Sequence, residues 1–76
     1  MATLTAFFVV DQVSPSEDPE EDWGLLRLTP DPARELDNAP WAGTDPAGGL
    51  LKLTPDKATL SQYTEGQAVT VTIETA

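Results

Sequence analysis

The chain has no cysteine and no histidine, and only four basic residues among 76. Without cysteine there is no disulfide to staple a small body and no thiolate for a soft metal. Without histidine it lacks the commonest transition-metal ligand and the commonest general base near neutral pH. Ser14, Ser16 and Ser61 therefore have no imidazole to activate them. Aromatics are scarce as well: two Trp, two Phe and one Tyr. The longest apolar run, near the N-terminus, is too short to span a bilayer and has no basic residue before it. It is read as a strand rather than a signal peptide, and no membrane partner is expected.

What the chain has in excess is acid. Thirteen Asp and Glu against four Lys and Arg give a formal charge of −9. Nucleic-acid phosphates are disfavoured as partners, because few counterions would be released and like charges would meet. Two roles remain for the charge. It keeps the chain soluble, or it complements a basic protein surface. At 76 residues the chain is one domain, 1–76, with a thin core that buries about 60% of its unfolded surface. A partner surface, or another copy of the chain, is the remaining way to add stability.

The elements follow from periodicity. Residues 2–13 alternate, with Leu4, Ala6, Phe8 and Val10 on one face. Phe7 and Val9 make the second face apolar too, so this strand is expected to be covered on both sides or to lie against a partner. Residues 14–22, Ser-Pro-Ser-Glu-Asp-Pro-Glu-Glu-Asp, hold five acids and two prolines and read as an exposed loop. A second strand is expected over 23–29 and a helical turn over 31–36 with Thr29 as its cap and Pro30 at its first position. A third strand is expected over 49–54. A short helix capped by Thr54 then runs to about Tyr63, before a last strand over 67–75 with Val69, Val71 and Ile73 inward.

A ten-residue segment recurs. Gly24-Leu25-Leu26-Arg27-Leu28-Thr29-Pro30-Asp31-Pro32-Ala33 returns 25 positions later as Gly49-Leu50-Leu51-Lys52-Leu53-Thr54-Pro55-Asp56-Lys57-Ala58, identical at eight positions. Two copies are too few for a solenoid. The reading is one strand-to-helix junction solved twice with the same chemistry.

Few residue sets carry chemistry. Glu20, Glu21 and Asp22 sit in a loop with no burial to tune them, so a catalytic carboxylate pair is not expected there. Asp18, Glu20 and Asp22 alternate as at the start of a calcium loop, but the glycine at position six and the glutamate at position twelve are missing. The Gly43–Gly49 stretch lacks the Gly-Lys-Ser/Thr ending of a phosphate cradle. No cofactor is expected. Trp41, between Pro40 and Ala42, either plugs one end of the body or anchors a partner; Trp23, beside the acidic loop, is the better exposed anchor.

One set of motifs carries a resemblance. Asp37-Asn38 is followed by Trp41, by Thr44-x-Pro46-x-Gly48, and by Leu51-x-Leu53. Thr54-Pro55-Asp56-x-Ala58 then opens a helix, and Tyr63 with Glu65-Gly66 precedes a β-branched strand. This resembles a group of small proteins encoded by tailed bacteriophages. It covers about half the chain closely and the first strand loosely, and its motifs are turn and cap chemistry. Thr54 departs from the family's Asn, and Gln67-Ala68-Val69 from its Lys and tyrosines. The resemblance implies a phage origin and a compact β-fold.

The expectation is a mostly-β domain: a small antiparallel barrel or open sandwich of four or five strands, with one short helix before the last. The expected function is non-enzymatic, a capsid decoration protein on the virion surface whose partners are the major capsid protein and other copies of itself. Phe7, Val9, Glu17, Asp18, Glu20, Glu21, Asp22, Trp23 and Trp41 are the candidate contact residues. The alternative is an acidic inhibitor in the host cytoplasm that mimics nucleic acid on a basic defence protein.

Overall fold

The computed structural model of the chain describes residues 3–43 and 48–75. The Thr44-x-Pro46 turn lies outside the described residues, as does most of the Gly43–Gly49 stretch. Four strands, β1 (Thr3–Pro15), β2 (Gly24–Pro30), β3 (Leu51–Leu53) and β4 (Ala68–Glu74), form one antiparallel sheet in the order β3-β2-β1-β4. The fold is mostly β and the sheet is open, with no pairing between β3 and β4 to close a barrel. A 3-10 turn at Pro32–Arg34 runs into helix α1 (Glu35–Ala42), and a four-residue helix α2 (Lys57–Leu60) lies between β3 and β4.

The core lies between one sheet face and the two helices. Ala6, Phe8 and Val10 of β1, Leu26 and Leu28 of β2 and Leu60 of α2 are buried together, with Trp41 and Tyr63 packed at the margin. The alternation that predicts β1 also selects these residues. It is broken once, by a bulge between Val10 and Gln12, which returns Val13 to the core face opposite Leu26. Ile73 is the exception among the expected inward residues. It is 59% exposed, because it pairs with Leu4 at the end of the outermost strand.

One placement corrects the sequence reading. Both helical segments are capped two residues later than expected, by aspartate rather than threonine. Asp31 Oδ1 accepts from the Ala33 N–H at 2.9 Å, and Asp56 Oδ1 accepts from the Thr59 N–H at 2.7 Å. Thr29 is still held in the ladder opposite Val9, so its backbone is not at a helix start. β1 lies inside the sheet, paired with β4 over Thr3–Val9 and with β2 over Phe8–Pro15. Its second face is covered at Phe7 by the guanidinium of Arg34, 3.8 Å from the ring centroid.

β1 is longer than either neighbour's pairing, and side chains finish its ladder. Beyond the end of β2, Asn38 takes the place of a strand residue: the Phe7 N–H donates to Asn38 Oδ1 at 2.9 Å and Asn38 Nδ2 donates to the Phe7 carbonyl at 2.7 Å. Beyond β4, the Val13 N–H donates to Glu65 Oε2 at 3.1 Å. Both satisfy backbone groups that the sheet alone would leave unpaired.

The repeated segments pair with each other. Leu26 faces Leu53, Arg27 faces Lys52 and Leu28 faces Leu51. Arg27 and Lys52 are equivalent positions of the repeat, so the pairing is a local pseudo-twofold about that pair. Each copy's glycine lies under the helix that follows the other copy. Gly24 sits beneath Leu60, and Gly49 sits beneath the Trp41 ring.

Candidate functional site

The connection from β1 to β2 is a hairpin loop that concentrates acid. It closes through the Ser16 N–H donating to the Trp23 carbonyl at 3.0 Å. Asp18 begins a turn: its carboxylate accepts from the Glu20 N–H at 2.9 Å and its carbonyl from the Glu21 N–H at 3.1 Å. Glu21 binds both ends of the loop at once, accepting from the Ser16 hydroxyl at 3.0 Å and from the Trp23 indole N–H at 2.7 Å. The loop is docked on the start of α2, where the Lys57 N–H donates to Asp22 Oδ1 at 3.1 Å and Lys57 Nζ to the Asp18 carbonyl at 3.1 Å. The composition suggested a loose, solvated loop. The chain instead spends Asp18, Glu21 and Asp22 on its own backbone and side chains.

Asp18, Glu21 and Asp22 are nonetheless exposed, and with them in the loop stand Glu17, Glu20 and Trp23. These last three are exposed as well, the tryptophan by 43%. The Glu17 and Glu20 carboxylates make no hydrogen bond or ion pair among the described residues, whereas the Trp23 indole N–H is held by Glu21. Trp41 is placed differently. Its ring packs on Phe8 at a centroid distance of 5.1 Å, and its indole N–H donates to Asn38 Oδ1 at 3.1 Å. Phe7 and Val9 are half-buried on the sheet face opposite the helices, away from Trp41. The nine candidate residues thus separate into the hairpin loop, the outer sheet face and the core margin. Among the described residues no three acidic side chains come together to hold a metal ion. Asp18 and Asp22 of the alternating set face backbone N–H groups instead.

The hydrogen bond from the Trp23 indole holds the Glu21 carboxyl below its ordinary value of 4.5. The Ser16 hydroxyl and the Lys57 charge act in the same direction, against slight desolvation. A carboxyl with a depressed folded value adds stability that is complete above 4.5 and is lost as pH falls through the lowered value. The Trp23 indole N–H resonance is accordingly expected to titrate with a midpoint below 4.5, and Glu21→Gln to abolish that titration. Trp41 supplies the internal reference, since its indole binds an amide.

Asn38 is the residue that sequence reasoning missed. Its side chain is fully buried, and it joins β1, α1 and Trp41 at one point. The signal was the spacing Asn38-x-x-Trp41, which puts both on one helix face. Comparison with protein-family models, with curated proteins and with solved structures returned no match.

Proposed function

We propose that the chain is a non-enzymatic structural protein of a tailed bacteriophage that binds the assembled capsid as a decoration protein. The observation that supports this reading is the hairpin loop. It is a pre-ordered acidic projection with Trp23 at its base, and its Glu17 and Glu20 carboxylates are left for a partner. A tryptophan ringed by charge is the common composition of an interface anchor, and prior ordering lowers the entropy cost of docking. A net charge of −9 steers such a loop toward a basic surface and raises the association rate.

The direct test is co-sedimentation with capsids of the source phage that lack this protein. The wild-type chain is expected to pellet with the shells. Glu17→Lys/Glu20→Lys is expected to weaken binding about tenfold or more, and Trp23→Ala to weaken it similarly. Equal binding by both variants would remove the loop from the interface. Failure of the wild type to pellet would remove the decoration role.

A nucleic-acid mimic is the second reading, and the loop's internal bonding favours it to one degree. A mimic requires carboxylates on a rigid frame, and this loop is held at both ends and at its turn. Retention of a basic host protein on the immobilised chain, released by competing DNA, is the result it predicts.

A further inference from the structure

The two repeats have the same sequence and different surroundings. In the first, Leu26 and Leu28 are each 3% exposed, and β1 lies along the outer side of β2. In the second, the equivalent Leu51 is half-buried and Leu53 is 43% exposed, and no described strand lies along the outer side of β3. The pseudo-twofold that relates β2 to β3 maps β1 onto that vacant side. Arg27 shows what the missing strand supplies. It forms an ion pair with Asp11, which β1 presents at its bulge. The equivalent Lys52 is exposed and has no acidic partner among the described residues.

The other edge of the same sheet carries the matching pattern. β1 reads Phe8-Val9-Val10-Asp11, two core-facing apolar residues and then an acid. β4 reads Val71-Thr72-Ile73-Glu74, the same order. β4 is the outermost strand on its side, and it has none of the usual guards against edge pairing. Over its seven residues there is no proline, no lysine and no bulge, and its only charge is the terminal Glu74. Ile73 is 59% exposed, with Leu4 of β1 opposite it on one flank and no described strand on the other.

We propose that β4 of one copy adds to β3 of the next, extending the sheet head to tail. Directions permit it, since neighbours in the order β3-β2-β1-β4 alternate and β4 runs opposite to β3. Transferring the β1–β2 register, where Val10 faces Leu28 and Val9 faces Thr29, sets Ile73 against Leu53 and Thr72 against Thr54 of the next copy. Glu74 then lies beside Lys52, as Asp11 lies beside Arg27. The two exposed apolar side chains cover each other, and the unpaired lysine gains a carboxylate. Pairing β3 with β3 about a twofold would instead bring two Lys52 side chains together. A contact between different edges does not close on two copies; it makes a ring or a filament. This inference does not depend on the phage reading.

Sedimentation equilibrium of the purified chain tests it. The range is about 10 µM to about 1 mM, suited to a small interface. Salt of about 0.3 M screens the repulsion between like-charged copies. The weight-average mass is expected to rise from 8.1 kDa past that of two chains. Lys52→Glu and Glu74→Lys, both at exposed positions, are each expected to weaken association about fivefold or more. The double variant, which restores opposite charges, is expected to recover it. Circular dichroism melts matching the wild type show that the variants remain folded. A wild-type chain that stays at 8.1 kDa throughout, a plateau at two chains, or a double variant no better than the singles would each overturn the proposal.

Discussion

Asn38→Ala is expected to lower the unfolding free energy by about 2–4 kcal/mol, because it strands two half-buried donors at once and empties a fully buried site. The Phe7 N–H loses its acceptor and the Trp41 indole loses its acceptor. The Phe7 carbonyl keeps only the Asp31 N–H, at 3.0 Å. A 76-residue domain has a total stability of about 4–11 kcal/mol, so a loss of this size is a large fraction of the whole. Urea denaturation followed by tryptophan fluorescence reads it directly. Asn38→Asp refines the interpretation. An ionised aspartate accepts from Phe7 and Trp41 but cannot donate to the Phe7 carbonyl, and its charge is buried. That variant is expected to be destabilised at pH 7 and to recover part of its stability on acidification, when its protonated oxygen can donate. A loss under about 0.5 kcal/mol for Asn38→Ala, typical of surface positions, would contradict the role assigned to this residue.

Gly24→Ala is expected to cost about 1–3 kcal/mol for a steric reason. A Cβ on Gly24 would lie 2.8 Å from Pro15 Cα and 2.9 Å from the Ser14 carbonyl oxygen, and closer still to Leu60 Cδ2. Two of these three are backbone, so the hairpin itself must spread. Gly43 provides the contrast. Its φ is +74° with ψ −178°, a region almost confined to glycine, and a Cβ there meets nothing within 4 Å, so Gly43→Ala costs only backbone strain, about 1–3 kcal/mol. Leu60→Ala separates the causes at Gly24. Part of the Gly24→Ala penalty is expected to vanish in a Leu60→Ala background, leaving the part owed to Ser14 and Pro15. Full additivity of the two changes would show that Leu60 does not press on Gly24.

The strands were legible because their alternation is clean, and the resemblance between Gly24–Asp31 and Gly49–Asp56 supported both strand-to-helix junctions. The sequence did not show that the two copies pair, since pairing is a property of topology. It misplaced both helix caps by two residues. Thr-Pro-Asp offers two capping side chains, and only the ladder contact that holds Thr29 decides between them. Most of α1 went unread, because Asp37, Asn38 and Pro40 are weak helix formers and Leu36 is exposed. Its helicity rests on Asn38 and Trp41 docking against β1. The acids of the loop were legible as a cluster. Their division into those bound internally and those left unbonded among the described residues was not, because it depends on Ser16, Trp23 and the start of α2 meeting at the loop.

The central proposal is that this chain is a phage-encoded binding component of an assembled particle, and its copy number in purified virions of the phage that encodes it tests that most directly. Quantitative mass spectrometry against the major capsid protein is expected to give a ratio near a simple fraction of the capsid copies. Absence from washed virions would contradict the proposal.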